Sequence, residues 1–419
     1  MSFFTSRYFK DIFSQAGLVI AAQLIPVVSS PLLSRIYDQN AMAEITGLMA
    51  LSSILLVFST FKLENAVVTE KDDNRANQLM VLGIGIALLF SIVTIFLVNF
   101  FSDRLGNSFK IQNVINFVPF YVLFLSALNI INFWFVRIKK FKLKAYSKII
   151  ENGSYVAFAC SIYYLKGQNE LGLALGKFVG VCVAMALLFA FSKLKFQRNK
   201  WNTYKDLLVD YKEFPLHYMP SSFVNVMSLQ MLILFIGIYY SKEQLGYFGL
   251  ANMVVLLPIS FITQSVGTIF FQKMSEYINK GQGKLAKKTF KQTLGMLAAI
   301  GIPAFLVLYF GSVYLFPFVF GFDWEITGII AKLLAVVFLS QIIVGPISIV
   351  LISLKKIKLN AFWQYGRFVI MLLYMLSLVY FFNLDFLSFV KWYAYGAATL
   401  YTIYFLIIIN EVRVLRDED

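Results

Sequence analysis

The sequence predicts an all-α polytopic membrane protein of about 12 transmembrane helices, in two six-helix bundles related by a pseudo-two-fold axis along the membrane normal. Three observations predict it. The 419 residues are 59% hydrophobic and only 14% charged, where a soluble chain carries about 25% charged residues. Apolar runs recur from end to end without the alternation of a transmembrane barrel. The chain also repeats itself. Lys139-Lys140-Phe141-Lys142-Leu143-Lys144-Ala145-Tyr146 returns 216 residues later as Lys355-Lys356-Ile357-Lys358-Leu359-Asn360-Ala361-Phe362. Ile36-Tyr37 and Gly47-Leu48 return 202 residues later as Ile238-Tyr239 and Gly249-Leu250. Duplicated halves in an apolar chain suit a transporter, whose cavity forms between two similar bundles.

A spanning helix needs about 20 predominantly apolar residues. On that basis spans are expected near 12–34, 42–61, 79–101, 114–136, 146–165, 170–192, 216–240, 247–272, 292–315, 326–352, 361–382 and 386–410. The first is read as a retained helix, since it shows no cleavage site of small residues. The fifth and twelfth are the least apolar, because they carry Glu151 and Lys391. The expected domains are an N-terminal bundle over 1–192, a linker over 193–215, a C-terminal bundle over 216–410 and a tail over 411–419. The linker mixes Lys195, Arg198, Lys200 and Lys205 with Trp201, Tyr204, Leu207 and Leu208. It reads either as a solvated connection or as an amphipathic helix on the membrane surface.

Charge sets the expected orientation. With the N-terminus in the cytoplasm, 28 of the 37 Lys and Arg residues fall on inside segments and 5 on outside loops. This bias predicts both termini in the cytoplasm. It also accounts for the net charge of +15 through anionic headgroups, with no nucleic acid involved. Outside loops are short, the longest covering about 102–113. No outer domain is expected.

Ionisable groups at membrane depth usually face a cavity or each other. The candidates are Glu151, Lys177, Lys332, Arg367 and Lys391, so four bases meet Glu151 as the one deep acid. A cationic interior favours an anionic ligand such as a diphosphate, although each lysine alone suits snorkelling equally well. Glu151 plus the repeat offset of 216 is Arg367. The pair reads as a gating salt bridge, a static bridge, or two separate helix-end residues. Gln15 and Gln23 share a face of the first span, which also holds Pro26 and Pro31. The prolines loosen the helix ladder, as a gate or as a fixed kink. Asn225 and Gln230 give the seventh span a similar character.

Enzyme and metal signals are weak. Cys160 and Cys182 lie in apolar runs without metal spacing, and His217 is the only histidine. Asp72-Asp73 sits in the mixed-charge stretch Glu70-Lys71-Asp72-Asp73-Asn74-Arg75, which reads as a solvated loop. No cofactor is expected.

The stretches Leu32-Leu33-Ser34-Arg35-Ile36-Tyr37, Ala43-Glu44-Ile45-Thr46-Gly47-Leu48 and Phe61-Lys62-Leu63-Glu64-Asn65-Ala66-Val67-Val68 resemble the opening of bacterial polysaccharide repeat-unit flippases. These are the Wzx-type proteins of O-antigen and capsule synthesis, in the multidrug/oligosaccharidyl-lipid/polysaccharide (MOP) exporter superfamily. The resemblance implies a V-shaped pair of six-helix bundles with a cavity lined by the first, second, seventh and eighth helices. It implies alternating access that moves an undecaprenyl-diphosphate-linked oligosaccharide to the outer leaflet of the bacterial inner membrane. It implies no covalent chemistry. Expected partners are that lipid-linked cargo and membrane lipids, with a polysaccharide polymerase and chain-length machinery as further candidates. Coupling to H+ or Na+ stays open, since no coupling site stands out.

Competing readings are a drug exporter of the same superfamily, a twelve-span sugar facilitator, and a membrane polymerase or acyltransferase. Exporters of cations place acids in the cavity. A facilitator should carry a Gly/Asp/Arg-rich loop where this chain has Lys62 to Asn77, a polymerase needs a large outer loop, and an acyltransferase needs a histidine deep in the membrane.

Overall fold

A computed structural model of the protein describes residue 22 and residues 24–192 and 201–415. The expected residues Gln15 and Gln23, most of the linker's basic run and the last tail residues lie outside these. Among the described residues the structure is helical, without strands. The helices are α1 (Leu24–Ile36), α2 (Gln39–Ser59), α3 (Leu63–Thr69), α4 (Asp73–Phe109), α5 (Val118–Arg137), α6 (Phe141–Lys166), α7 (Gly172–Ser192) and α8 (Trp201–Asp210). They continue with α9 (Met219–Tyr239), α10 (Lys242–Asn279), α11 (Gly283–Leu306), α12 (Ser312–Phe320), α13 (Glu325–Ile347), α14 (Val350–Ser353), α15 (Ile357–Tyr380) and α16 (Phe386–Arg413).

Nine helical stretches among the described residues are long and apolar enough to cross a membrane. The chain is a multi-pass membrane protein. The long helices α6 and α10 lie where the fifth and eighth spans are expected, with 26 and 38 residues. Many large apolar side chains point outward, among them Phe96, Phe100, Tyr314 and Phe318, with Phe100 at 83% exposure. Lipid, not water, suits such a surface.

The chain divides into two compact units, Met1–Gly246 and Tyr247–Asp419. The first packs Leu48, Leu63, Leu79, Val118, Phe135 and Val181 into one core, which also takes in Leu207 of α8. The described part of the expected linker is therefore docked on the first unit through its apolar face. The second unit packs Phe270, Met274, Leu297, Val350, Tyr404 and Ile408.

The repeated basic stretch is repeated in shape. Lys139 and Lys355 both adopt left-handed backbone, at φ 57° and 58°. In the first copy the Lys140 N–H donates to Phe135 O at 2.9 Å and the Lys139 N–H to Val136 O at 3.1 Å. In the second, Lys356 donates to Leu351 O at 2.8 Å and Lys355 to Ile352 O at 2.9 Å. Each is a Schellman turn, which satisfies the orphan carbonyls of a helix end before the next helix begins.

One loop differs from expectation. The stretch 102–113 is mostly helix, because α4 continues to Phe109 beyond a bend at Phe101, where φ is −123°. The polar turns Ser102–Asn107 extend the helix past its apolar span, and Lys110 closes it in left-handed backbone.

Candidate functional site

Two helices of the first unit approach unusually closely. Gly172, Gly176 and Gly180 recur every fourth residue on α7. A Cβ at Gly176 would press on Tyr155 O and Ala159 of α6, and one at Gly180 would collide with Glu151 O. Small residues at this spacing let helix backbones touch in a membrane. The contact carries Lys177, between two of the glycines, directly onto the polar face of α6.

There Lys177 Nζ donates to Glu151 Oε1 at 2.9 Å and to Asn152 Oδ1 at 3.1 Å. Lys148 Nζ donates to the other oxygen, Glu151 Oε2, at 2.7 Å. The Lys177 ammonium also lies 5.6 Å from the centre of the Tyr155 ring. Glu151, Asn152 and Lys177 are all buried. The charge of Lys177 is thus matched inside the protein by Glu151, and the trio keeps one net positive charge through Lys148.

The same network reaches the proline-bearing helix α1. A proline at position i leaves the carbonyl of i−4 without its helical donor. For Pro26 that carbonyl belongs to Ala22, and Asn152 Nδ2 donates to it at 2.8 Å. For Pro31 it belongs to Val27, and the Ser30 hydroxyl donates to it at 2.6 Å. Nearby, the Tyr37 hydroxyl donates to Ala159 O of α6 at 2.8 Å. Both proline defects are repaired by named side chains, one of them on a different helix.

The other expected residues have partners or surroundings of their own. Arg367 of α15 donates from Nη1 to the Tyr401 hydroxyl of α16 at 2.9 Å. Lys332 of α13 lies 5.2 Å from the centre of the Tyr309 ring. Lys391 and Asn225 are exposed, and Gln230 is half-buried. Glu151 and Arg367 belong to different units, and each has a partner within its own. Asp72 caps α4 through Asn74 N, and Asp73 pairs with Arg137 at 2.8 Å. His217 is exposed, 3.3 Å from Glu213. Among the described residues no group of three or more His, Cys, Asp or Glu is placed to hold a metal ion.

Sequence reasoning missed two buried acids, so Glu151 is not the one deep acid. Glu44 is 0% exposed and Glu64 is 1% exposed. Glu64 accepts from the Thr60 hydroxyl at 2.5 Å. Glu44 Oε1 accepts from Lys242 Nζ at 2.6 Å and from Asn113 Nδ2 at 3.0 Å. Both acids stand near the ends of apolar runs, where position along a run does not tell burial from solvation. The one available signal is that both fall within the stretches whose sequence resembles a flippase opening. The interior is therefore less cationic than the sequence suggests.

A model of the family described as "Polysaccharide biosynthesis protein" matches residues 46–329. The teichuronic acid biosynthesis protein TuaB of Bacillus subtilis (strain 168) is 28% identical over 185 residues, 43% of this chain and 37% of that protein. The match thus reaches little more than a third of that relative's length. Among solved structures, the lipid II flippase MurJ in its inward closed conformation superposes with a TM-score of 0.76 at 14% identity, covering 94% of this chain and 87% of that one. An inward-facing multidrug resistance MATE family transporter of the MOP superfamily superposes with a TM-score of 0.71 at 12% identity, covering 96% and 95%.

Proposed function

We propose that this chain, which belongs to the polysaccharide biosynthesis protein family, is a MOP-superfamily flippase for undecaprenyl-diphosphate-linked oligosaccharide repeat units. The family match carries the reading. It begins in α2 and ends in α13, so it takes in parts of both units. One relative is named for teichuronic acid biosynthesis and one structural neighbour for flipping lipid II, and both names fit a lipid-linked sugar cargo.

In this reading the cargo's diphosphate is met by bases and its lipid tail stays in the bilayer. The step is alternating access in the inner membrane, with both termini cytoplasmic, and no bond is made or broken. Arg367 and Lys332 are the preferred diphosphate contacts. Each rests on a tyrosine ring, and among the described residues no carboxylate pairs with either. Lys177, matched by Glu151, and the exposed Lys391 rank below them. Pro26 and Pro31 give α1 its hinge character, and Glu151 serves as gate through its pair with Lys177 or Arg367. A polysaccharide polymerase and chain-length machinery would act on the delivered unit.

The test is deletion of the gene followed by leaflet-resolved quantification of lipid-linked oligosaccharide. Completed units should accumulate on the cytoplasmic side while surface polysaccharide is lost. An unchanged lipid pool would reject the reading. It would favour instead a cation exporter of the same superfamily, for which the buried Glu44 and Glu64 speak. Single units accumulating on the outer side would point to a polymerase.

A further inference from the structure

A second buried polar cluster lies where α10 begins. Lys242, in the first turn of α10, is held by two carboxylates at 2.6 Å each, Glu44 of α2 and Glu170 of the α6–α7 connection. Asn113 bridges the same two acids from the α4–α5 connection. Its Nδ2 lies 3.0 Å from Glu44 Oε1 and 2.6 Å from Glu170 Oε2, and its main-chain N–H lies 3.3 Å from Glu44 Oε1. Beside the cluster, Gly246 of α10 abuts Gln39 O of α2 so closely that a side chain there would collide. All of these residues belong to the first unit, while the rest of α10 from Tyr247 belongs to the second.

Two features of the cluster are unusual. Glu44 is fully buried, yet its second oxygen, Oε2, has no hydrogen-bond partner. In addition, one ammonium faces two carboxylates, leaving one net negative charge when both acids are ionised. A buried, unsatisfied and uncompensated anion is unfavourable, and such groups take up a proton instead. Glu170 is 37% exposed, so water reaches its side chain, whereas none reaches that of Glu44. One proton on Glu44 makes the cluster neutral.

Among the described residues, the charged groups of helices α9, α5, α7 and α4, which pack on α2, are absent, bound elsewhere or exposed. Helix α9 contains no acid or base. In α5 only Arg137 is charged, and it is bound by Asp73 and by Val67 O, Glu70 O and Lys71 O. In α7 only Lys177 is charged, bound to Glu151. Asp103 and Arg104 of α4 are exposed and Lys110 is half-buried, while Asp38 caps α2 through Ala41 N.

We propose that Glu44 is a proton-binding site whose occupancy sets how firmly Lys242 holds the first turn of α10 against α2. A proton from water adds to Glu44 Oε2, and Oε1 keeps its contacts with Asn113. Lys242 then faces one carboxylate instead of two, and its hold weakens. Acidification loosens this end of α10 and deprotonation clamps it. That the clamp serves transport rests on the flippase reading, but the proton site does not.

The test is infrared difference spectroscopy of the full chain in lipid vesicles, titrated from neutral to acid without any cargo. In the wild-type minus Glu44→Gln difference spectrum, a carboxylic-acid carbonyl band should grow in on acidification. Lys242→Met should move the midpoint of that band to higher pH, because its cation no longer favours the carboxylate. Hydrogen exchange over residues 241–250, corrected for intrinsic rates, should quicken in acid for the wild type and ignore pH in Glu44→Gln. Absence of that difference band, or a midpoint unmoved by Lys242→Met, overturns the proposal whatever the chain transports.

Discussion

The side-chain amide of Asn152 donates to the main-chain carbonyl of Ala22 at 2.8 Å, the carbonyl that Pro26 deprives of its helical donor. One residue of α6 thus repairs a proline defect in α1 while accepting from Lys177 at 3.1 Å. A proline in one helix and a buried ion pair between two others share a single side chain.

Asn152→Ala should lower thermal stability in detergent by about 1–3 kcal/mol, since it strands Ala22 O and removes an acceptor from Lys177. In a Pro26→Ala background the helical bond to Ala22 returns, so the loss should shrink. A double-mutant cycle measures this. Equal losses in both backgrounds would mean that Asn152 does not act through the proline defect.

The ion pair should respond asymmetrically. Glu151→Ala leaves the buried Lys177 without its carboxylate, and breaking a buried pair this way costs about 3–5 kcal/mol. Lys177→Met should cost less, because Lys148 still holds Glu151 at 2.7 Å. Thermal unfolding of the two variants, side by side, checks the order.

The twin Schellman turns predict a gain in stability. Lys139 and Lys355 hold positive φ without being glycine, and left-handed backbone costs a residue with a Cβ about 1–2 kcal/mol. Part of that is recovered by Lys139→Gly or Lys355→Gly, after the entropic cost of glycine. Each variant should melt slightly higher than the parent, and Lys139→Val should melt lower.

Acid should release α8 from the first unit. The Tyr211 hydroxyl at 2.5 Å holds the Glu70 carboxyl below its usual range, helped by the Asp72 N–H. Burial and Glu70 in turn push Tyr211 up to about 12. A depressed carboxyl contributes stability above its unfolded pKa of about 4.3, and loses it as pH falls through the lower folded value. Hydrogen exchange of residues 201–212 should therefore rise in acid. Tyr211→Phe should move that rise to higher pH.

Much of this was readable in the chain. The nine described stretches between α2 and α16 that are long and apolar enough to span follow from apolar run length, and the duplication seen in Lys139–Lys140 and Lys355–Lys356 returns as two turns of one geometry. Side-chain pairing was not readable in the same way. Lys177 reads as a free base because Glu151 lies 26 residues away in sequence, and only the glycine-lined contact of α6 and α7 brings them together. The burial of Glu44 left no mark in the sequence, because its partners, Asn113, Glu170 and Lys242, come from three distant segments. Burial at the end of a span depends on what other loops fold over it, which run length does not encode.

The proposed diphosphate contacts are tested by Arg367→Ala and Lys332→Ala. Each should abolish export of surface polysaccharide at normal membrane levels, whereas Lys391→Ala, at an exposed position, should export nearly as the parent does. Full activity in both of the first two variants would remove these residues from the site.

The most direct measurement is reconstitution of the purified chain in vesicles carrying undecaprenyl-diphosphate-linked oligosaccharide, with a glycan-trimming enzyme added outside. The flippase account predicts that the protein brings cargo from both leaflets within the enzyme's reach. Trimming confined to the outer-leaflet share, as in protein-free vesicles, would contradict it.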